Sequence, residues 1–405
     1  GRDRDHTLCP DAGDGTLTHA EKEVVLMPRF PSWTLIPAAL LGASGVSGQA
    51  VRHYPIAELG RLVTWTVGDP DLSIGVLDGA DPYVFAGLGD IKVLSDRSLA
   101  VTNWAPPEIR SFDASGRYLR TIGSQGAGPG EFIQLTHMHR LGPDSLVTWD
   151  ISQGRGPVFS IRGEYGRQIR FHERPRAWVG RVFQDGSLLV CSRSHAPVED
   201  GASRRSTYTV LLHAGADGTI VDSIGWIPSM ELVRVQEIAY WTNPTFAPQG
   251  LAAAGPETVW VVDGEAPRLR QLDRRGRILS ETTWETPDLR VTEAETDLYW
   301  QQYAARGDDF ARAAASRRHL PVAEHFPATG RLLVDAIDRI WVQIDTRPSE
   351  AAERWLIFGE GGRLLARLDA PLGFSVRDAD ARHVYGISRD EWDVEQVERR
   401  PITTR

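Results

Sequence analysis

Two histidines and two carboxylates are the residues of this sequence whose types and spacing could do chemistry. His137 and His139 stand two positions apart in the segment LTHMHRL, which alternates as a β-strand does, so both imidazoles are expected on one side. Two imidazoles at this spacing could ligate a metal ion. Asp90 and Asp335 fall at similar places in two other strand-like segments, GDIKVL and ATGRLLVD. Because those segments hold no matching histidines, hydrogen-bonded or channel-lining histidines without a metal are the alternative.

A second candidate for chemistry is the glycine-rich stretch GSQGAGPGEF at 123–132, with four glycines and one proline. A phosphate-binding P-loop would end in Gly-Lys-Ser/Thr and open a helix, whereas Glu131 and Phe132 follow here. A dinucleotide fingerprint also needs a helix after the loop, and the residues that follow are typical of a strand. The stretch is therefore predicted to be a connection whose glycines serve backbone geometry.

The other motifs that carry chemistry are missing from the sequence. The two cysteines, Cys9 and Cys191, have no CxxC or metal-ligand spacing, and no GxSxG, HExxH or calcium-loop pattern occurs. The formal net charge of -9 argues against a nucleic-acid partner, which would require a basic face. The sequence therefore assigns no catalytic residue and no cofactor, and it leaves a metal undecided.

The elements that must position these residues repeat along the chain. Six segments have a turn followed by an apolar run of period two, and five have two strands joined at a glycine. The joining glycines are Gly116, Gly166, Gly218, Gly276 and Gly362. The missing sixth partner is supplied near the N-terminus by ELGRLVTWTVG, with a strand from Leu62 to Val67. Circular closure of this kind removes an exposed sheet edge.

The repeats predict an all-β fold, a six-bladed β-propeller of four-stranded antiparallel blades over 60–402, with the N-terminal strand closing the last blade. We expect the blades near 85–123, 132–172, 177–227, 245–285, 325–370 and 372–402, the last completed by 60–67. Trp149, Trp260 and Trp341 occupy equivalent strand positions and are predicted to be buried in the core.

The stretch IRSFDASGRYLRTIGSQGAGPGEFIQL resembles the link between blades in bacterial six-bladed β-propellers of the NHL-repeat-like or TolB-like superfamily. The resemblance covers about 60–402 and is clearest at 109–132. It implies a propeller that is usually exported, and it is specific for the fold but not for the function. Propeller lyases and lactonases hold a metal in their central channel, with ligands from several blades.

A helical insertion is expected at 291–320, between blades 4 and 5. Thr292 and Glu295 form a capping box, and Gly307 is predicted to divide the segment into two helices. Tyr299 and Tyr303 follow helical spacing and would lie against the propeller. The insertion is interpreted as a packed decoration or, alternatively, as a lid over the channel mouth.

The N-terminal region is predicted to direct export. Residues 27–50, MPRFPSWTLIPAALLGASGVSGQA, have the layout of a signal peptide with cleavage after Ala50. Residues 1–26 are polar and are interpreted as disordered or as lying upstream of the true start. No cysteine follows the apolar run, so a stable membrane anchor is not expected, and the protein is predicted to be periplasmic or secreted.

These observations predict an exported, monomeric propeller that acts as a binding or scaffold module. Its ligand is expected to be a protein, a peptide or a glycan, taken at the channel mouth, and a nucleic acid is not expected. The candidate ligand-binding residues are His137, His139, Asp90, Tyr299 and Tyr303. The alternative is a metal-dependent enzyme of lactonase or lyase type with its site in the channel.

Overall fold

A computed structural model describes residues 50–404, apart from 172–176, 197–201, 236–239, 306 and 345. Residues 1–49 lie outside this description, and with them the predictions about 1–26 and about a signal peptide that begins at Met27. None of the helices in the described part of the chain has the length and apolar character needed to cross a membrane.

The described chain begins with elements that precede the repeats. They are β1 (Ala50–Tyr54), α1 (Ile56–Leu59), β2 (Thr64–Val67), β3 (Leu72–Ile74) and a 3₁₀ turn at Asp81–Tyr83. Strand β1 is short, and it pairs in parallel with an outer strand of the fourth blade described below. Strands β2 and β3 belong to the closure of the ring.

Blades 1 to 3 follow in chain order. Blade 1 contains β4 (Leu88–Val93), β5 (Leu99–Trp104), β6 (Pro107–Phe112) and β7 (Tyr118–Ile122). The short strands β8 (Ser124–Gln125) and β9 (Glu131–Phe132) lead to blade 2, with β10 (Leu135–Leu141), β11 (Ser145–Asp150), β12 (Arg155–Ser160) and β13 (Tyr165–Arg170). Blade 3 contains β14 (Ala177–Val182), β15 (Leu188–His195), β16 (Arg204–Ala214) and β17 (Ile220–Val235), with β18 (Tyr240–Thr242) added at its edge.

Blades 4 to 6 complete the ring. Blade 4 contains β19 (Leu251–Ala254), β20 (Val259–Val262), β21 (Arg268–Leu272) and β22 (Ile278–Trp284), the partner of β1. Helices α2 (Glu293–Ala304) and α3 (Asp308–Arg317) precede blade 5, which contains β23 (Leu332–Val334), β24 (Ile340–Ile344), β25 (Ala352–Phe358), a 3₁₀ turn at Glu360–Gly362 and β26 (Leu364–Pro371). Blade 6 contains β27 (Ser375–Ala379), β28 (His383–Arg389) and β29 (Glu395–Thr404).

The N-terminal segment closes blade 6, as predicted, but the pairing extends beyond the predicted strand. Strand β3 lies antiparallel to β29, with Ile74 opposite Val397, and so supplies the fourth strand of the blade. Strand β2, inside the predicted 62–67, lies between β26 and the end of β29 and joins blades 5 and 6 into one sheet. Two successive strands therefore close the ring, where the repeat pattern had indicated one.

The apolar core is divided among the junctions between blades. In the described residues it forms six clusters, one for each pair of neighbouring blades, the pair of blades 6 and 1 included, and Leu59 of α1 joins the cluster of blades 4 and 5. Trp149, Trp260 and Trp341 are buried, as predicted, and each belongs to a different one of these clusters. Because every blade is held by two neighbours, the ring has no terminal blade with an exposed apolar face.

The helical insertion is present where it was expected. The Thr292 hydroxyl accepts a hydrogen bond from the Glu295 amide at 3.3 Å, and Gly307, at a φ of 138°, precedes α3. The Tyr299 ring lies 5.0 Å from the Phe246 ring, which in turn lies 4.7 Å from Phe326. The insertion is therefore packed against the segments that connect blades 3, 4 and 5.

The glycine turns agree with the prediction at Gly116, Gly218, Gly276 and Gly362, all of which have positive φ. In blade 2 the predicted turn at Gly166 is wrong. The turn is formed by Gly163, with a φ of 91°, and Gly166 lies inside β13. Two glycines three positions apart both fit the pattern, and the one with a positive φ makes the turn.

Candidate ligand site at the channel mouth

The site is built from the six innermost strands, β4, β10, β14, β19, β23 and β27. Each of them contacts the next around the ring, so they enclose a central channel. The strands of a blade alternate in direction, which places the turns after the innermost strands on one face of the ring and the links between blades on the other. The insertion is one of those links and therefore lies on the second face.

A cavity of about 340 Å³ opens among the turns of the first face. Its wall comes from the ends of the innermost strands of blades 1 to 5. Blade 4 contributes only the segment Ala254-Gly255-Pro256. Its side chains are small, so longer side chains from the other blades occupy the space beside it. The volume falls in the range that takes a small molecule or the end of a larger one.

Asp90, His137 and His139 lie close together on the neighbouring innermost strands β4 and β10, and His139 is the one of these three that lines the cavity. The two imidazole rings are stacked with centroids 6.3 Å apart, and the Asp90 carboxylate accepts a hydrogen bond from the Met138 amide at 3.0 Å. Lys92 Nζ stands 3.7 Å from the Asp90 carboxylate. His139 Nε2 lies 3.0 Å from the Val179 carbonyl oxygen and donates to it.

Both histidines are held neutral by their surroundings. Burial, followed by the charge of Lys92, lowers the pKa of His139 to about 3. Burial lowers the pKa of His137 more than the carboxylate of Asp90 raises it. Burial acts to raise the pKa of Asp90, but Lys92 and then the histidines outweigh it, so this pKa lies below its usual value. The group therefore carries one carboxylate, one ammonium and two uncharged imidazoles at neutral pH.

Two arginines extend the cationic side of the cavity. Arg140 forms an ion pair with the buried Asp378 and donates to the Val93 carbonyl at 3.1 Å. Burial opposes the charge of Arg140, but Asp378 prevails and raises its pKa. The second arginine, Arg181, crosses from blade 3 to blade 5 and donates to the Val334 carbonyl at 2.8 Å. Burial and then the charge of Arg140 lower the pKa of Arg181 to about 10, so it remains charged at neutral pH.

Blade 5 supplies the acidic side of the cavity. Asp335 is buried and fully engaged, because Arg339 and the Trp341 indole donate to its side chain at 2.6 and 2.9 Å. Despite these donors, burial raises the pKa of Asp335. Asp338 is exposed at the rim, in a turn where its φ is 65°. The cavity thus has a cationic wall and an acidic rim.

The two predicted tyrosines do not join this group. Tyr299 and Tyr303 lie in α2, with ring centroids 6.1 Å apart, on the face opposite the cavity, and the described residues of the insertion do not line the cavity. The insertion therefore does not cover this mouth. Their assignment as ligand-binding residues stays a prediction for the other face.

Sequence reasoning missed most of the charged residues of the site. Lys92, Arg140, Arg181 and Asp378 stand within a few positions of the first turn of their blades. Aligning the six innermost strands on that turn would have brought these charges together.

A metal site is not assembled by the residues that the structure describes. In residues 50–404, outside the gaps given above, no group of three His, Cys, Asp or Glu side chains is arranged to hold a metal ion. His137 and His139 supply two imidazoles, and the Nε2 atom of His139 is already donating to a backbone carbonyl. The geometry is that of a polar cavity with buried ion pairs beside it.

The closed ring of six blades defines the chain as a six-bladed β-propeller. A family model described as a 6-bladed beta-propeller matches residues 76–139, which include Asp90, His137 and His139. No curated protein matches the chain by sequence.

Several solved structures resemble the chain at low sequence identity. A putative exported protein from Bacteroides fragilis is 11% identical, with 88% of this chain and 100% of that chain covered and a TM-score of 0.49. The virginiamycin B lyase from Staphylococcus aureus is 10% identical, with 84% and 99% covered and a TM-score of 0.41. A calcium-binding protein, regucalcin, from Agrobacterium tumefaciens is 12% identical, with 87% and 97% covered and a TM-score of 0.36.

Proposed function

We propose that this propeller is an exported binding module that takes a protein, peptide or glycan ligand at the channel mouth formed by the first turns of the blades. The observation that carries the proposal is the cavity of about 340 Å³ with charged side chains from several blades around it. A cavity of this size accepts one residue or one sugar of a longer ligand, and the surrounding turns would contact the rest.

The composition of the wall favours binding over chemistry. Lys92, Arg140 and Asp335 are each held near a partner of opposite charge, which fixes them as a rigid, polar surface. Preorganised polar groups of this kind give orientation and specificity at low entropic cost. A general base poised near neutral pH is not provided by His139, because its pKa of about 3 leaves it a weak base.

A location in the periplasm or outside the cell is part of the proposal. It rests on the layout of residues 27–50, which is that of a signal peptide. A partner would then be met outside the cytoplasm, and a cell-wall peptide or a surface glycan would be within reach.

The proposal is tested by closing the cavity and asking whether binding is lost. Ser95 is an exposed residue of the cavity wall, and Ser95→Trp would fill the mouth from the rim. Ala114, also exposed but outside the wall, provides the matched control Ala114→Trp. The wild-type protein and both variants are applied to peptide and glycan arrays, after their melting temperatures have been compared.

We expect ligands that bind the wild type and the Ala114→Trp variant but not the Ser95→Trp variant. Binding that survives equally in both variants would place the ligand elsewhere and contradict the proposal. The absence of any ligand for the wild type on either array would count against a binding function of this type.

A further inference from the structure

We propose that the cavity recognises a carboxylate group of its ligand and that Arg181 is the side chain that binds it. This inference rests on the proposed function, because it names the chemical group that the channel mouth would take. The carboxylate could belong to the C-terminus of a peptide or to an acidic sugar, and both present the same planar anion to the protein.

Arg181 differs from the other cations around the cavity in having no carboxylate partner among the described residues. Lys92 pairs with Asp90 and Arg140 pairs with Asp378. The Arg181 guanidinium donates from its Nη1 atom to the Val334 carbonyl at 2.8 Å. One nitrogen of the guanidinium group is therefore bound to the protein, and Arg181 is among the residues that line the cavity.

The surroundings of Arg181 are unfavourable for a bare positive charge. The side chain is half-buried beside a second arginine, and burial together with the charge of Arg140 lowers its pKa to about 10. An anion bound in the cavity would relieve both effects, because it would supply the missing opposite charge in a partly desolvated place. We therefore expect the cavity to favour a ligand group with a negative charge.

A planar, singly charged anion fits this arrangement best. A guanidinium group binds a carboxylate through two parallel hydrogen bonds, whereas an ammonium group acts as a point charge. Among the charged residues of the cavity wall, Lys92 and Arg140 are each paired with a carboxylate and Asp335 is paired with Arg339, whereas Arg181 and the rim residue Asp338 have no ion-pair partner among the described residues. A single negative charge would pair with Arg181, and the carboxylate of Asp338 at the rim would oppose a second one.

Asp338 allows a test of whether the bound group carries a negative charge. It is exposed at the rim, and its charge lies close enough to act on the pKa of Arg181. A carboxylate bound at Arg181 would be repelled by Asp338, so Asp338→Asn should tighten the binding of an anion. For an uncharged ligand the same substitution should have little effect.

The experiment compares matched pairs of charged and neutral probes. The peptide pair is N-acetyl-Ala-Ala and its C-terminal amide, and the sugar pair is galacturonic acid and galactose. Binding to the full chain is measured by saturation-transfer difference NMR and by calorimetric titration, at low and at high salt. We expect at least one carboxylate to bind roughly tenfold or more tightly than its neutral partner, and more weakly as salt increases. The pair that shows this difference identifies the source of the carboxylate.

Two arginine variants separate a role of Arg181 from a general effect of charge. Arg181→Gln should weaken carboxylate binding roughly tenfold or more. Arg162 is exposed and outside the cavity, so Arg162→Gln should leave the affinity unchanged. The melting temperatures of both variants are measured alongside, and Asp338→Asn, which should strengthen binding, covers the case in which Arg181→Gln fails to fold.

The inference and the proposed function fail in different ways. Equal binding of a carboxylate and its neutral partner, both abolished by Ser95→Trp, would overturn the role of Arg181 and leave the binding cavity intact. The role of Arg181 would also be overturned if Ser95→Trp abolishes binding of the array ligands while Arg181→Gln binds them as tightly as Arg162→Gln does. If neither the probes nor any array ligand binds the wild type, both proposals are overturned.

Discussion

The two channel histidines make stability depend on pH. The pKa of His139 is about 3 in the folded protein, and the ordinary value in an unfolded chain is 6.5. Below pH 6.5 the unfolded chain therefore takes up a proton that the folded protein does not, and stability is lost as the pH falls from 6.5 towards 3. The pKa of His137 is lowered as well and acts in the same direction. Each histidine adds a slope of at most about 1.4 kcal/mol per pH unit.

We predict that His139→Gln flattens the pH dependence of the free energy of unfolding between pH 6.5 and 4. The measurement is urea denaturation at several pH values, compared with wild type. His319→Gln, at an exposed position outside the channel, is the control and should reproduce the wild-type slope. A slope that is the same in all three proteins would show that His139 takes up its proton in the folded state too.

At the residue scale, the sequence predicted only part of the site. Asp90, His137 and His139 stand out because alternation along a strand and equivalence between blades are visible in a single chain, and their role in binding a ligand stays a prediction. Arg181 does not stand out in the sequence, because its lack of a carboxylate partner among the described residues depends on the neighbouring blades. No short sequence pattern identifies a charged residue that will lack a partner of opposite charge in the folded protein.

At the scale of elements, the turn glycines are fixed by two separate requirements. Gly276 and Gly186 have nearly the same φ, 80° and 82°, which non-glycine residues rarely adopt. They differ in their surroundings. A Cβ atom on Gly276 would stand 1.8 Å from the Ile224 carbonyl oxygen of blade 3, whereas one on Gly186 would meet nothing within 4 Å. Gly276 is thus needed for the contact between blades as well as for the turn.

We predict that Gly186→Ala destabilises the protein by about 1 kcal/mol, the cost of the left-handed backbone alone. Gly276→Ala should cost about 1–3 kcal/mol more, because blade 3 must also move. Chemical denaturation of the two variants and the wild type gives both values. An equal decrease in the free energy of unfolding for both variants would mean that blade 3 moves away from the new Cβ atom at no energetic cost.

Repeating elements were easier to predict than the exceptions to the repeat. Each blade carries its own turn and strand signals, so six weak patterns support one another, and the helical insertion has a capping box of its own. The turn of blade 2 was placed at Gly166 instead of Gly163, since both glycines fit the spacing. The second closing strand, β3, was missed because three residues are too few to show alternation.

At the scale of the whole molecule, stability depends on closing the ring. Ile74 in β3 is buried between blades 6 and 1, while its neighbour Ser73 is exposed on the same strand. We predict that Ile74→Asp lowers the free energy of unfolding by more than about 3 kcal/mol and promotes aggregation, because an unpaired sheet edge is exposed. Ser73→Asp should change it by less than about 1 kcal/mol.

Urea denaturation and light scattering of the two variants measure these effects. Aggregation confined to Ile74→Asp is the expected result. If Ile74→Asp unfolds as cooperatively as the wild type and stays monomeric, the ring holds without this strand and the prediction is wrong.

The small side chains of blade 4 have a consequence for how a ligand would be oriented. A ring of six equal walls would offer a guest several equivalent poses related by rotation. Here the segment Ala254-Gly255-Pro256 lowers one wall, and Arg181 reaches past it to Val334. The described residues of blade 6 are also missing from the wall, so the rotational symmetry of the scaffold is broken at both places, and a ligand of the proposed kind would have a preferred direction in which to lie.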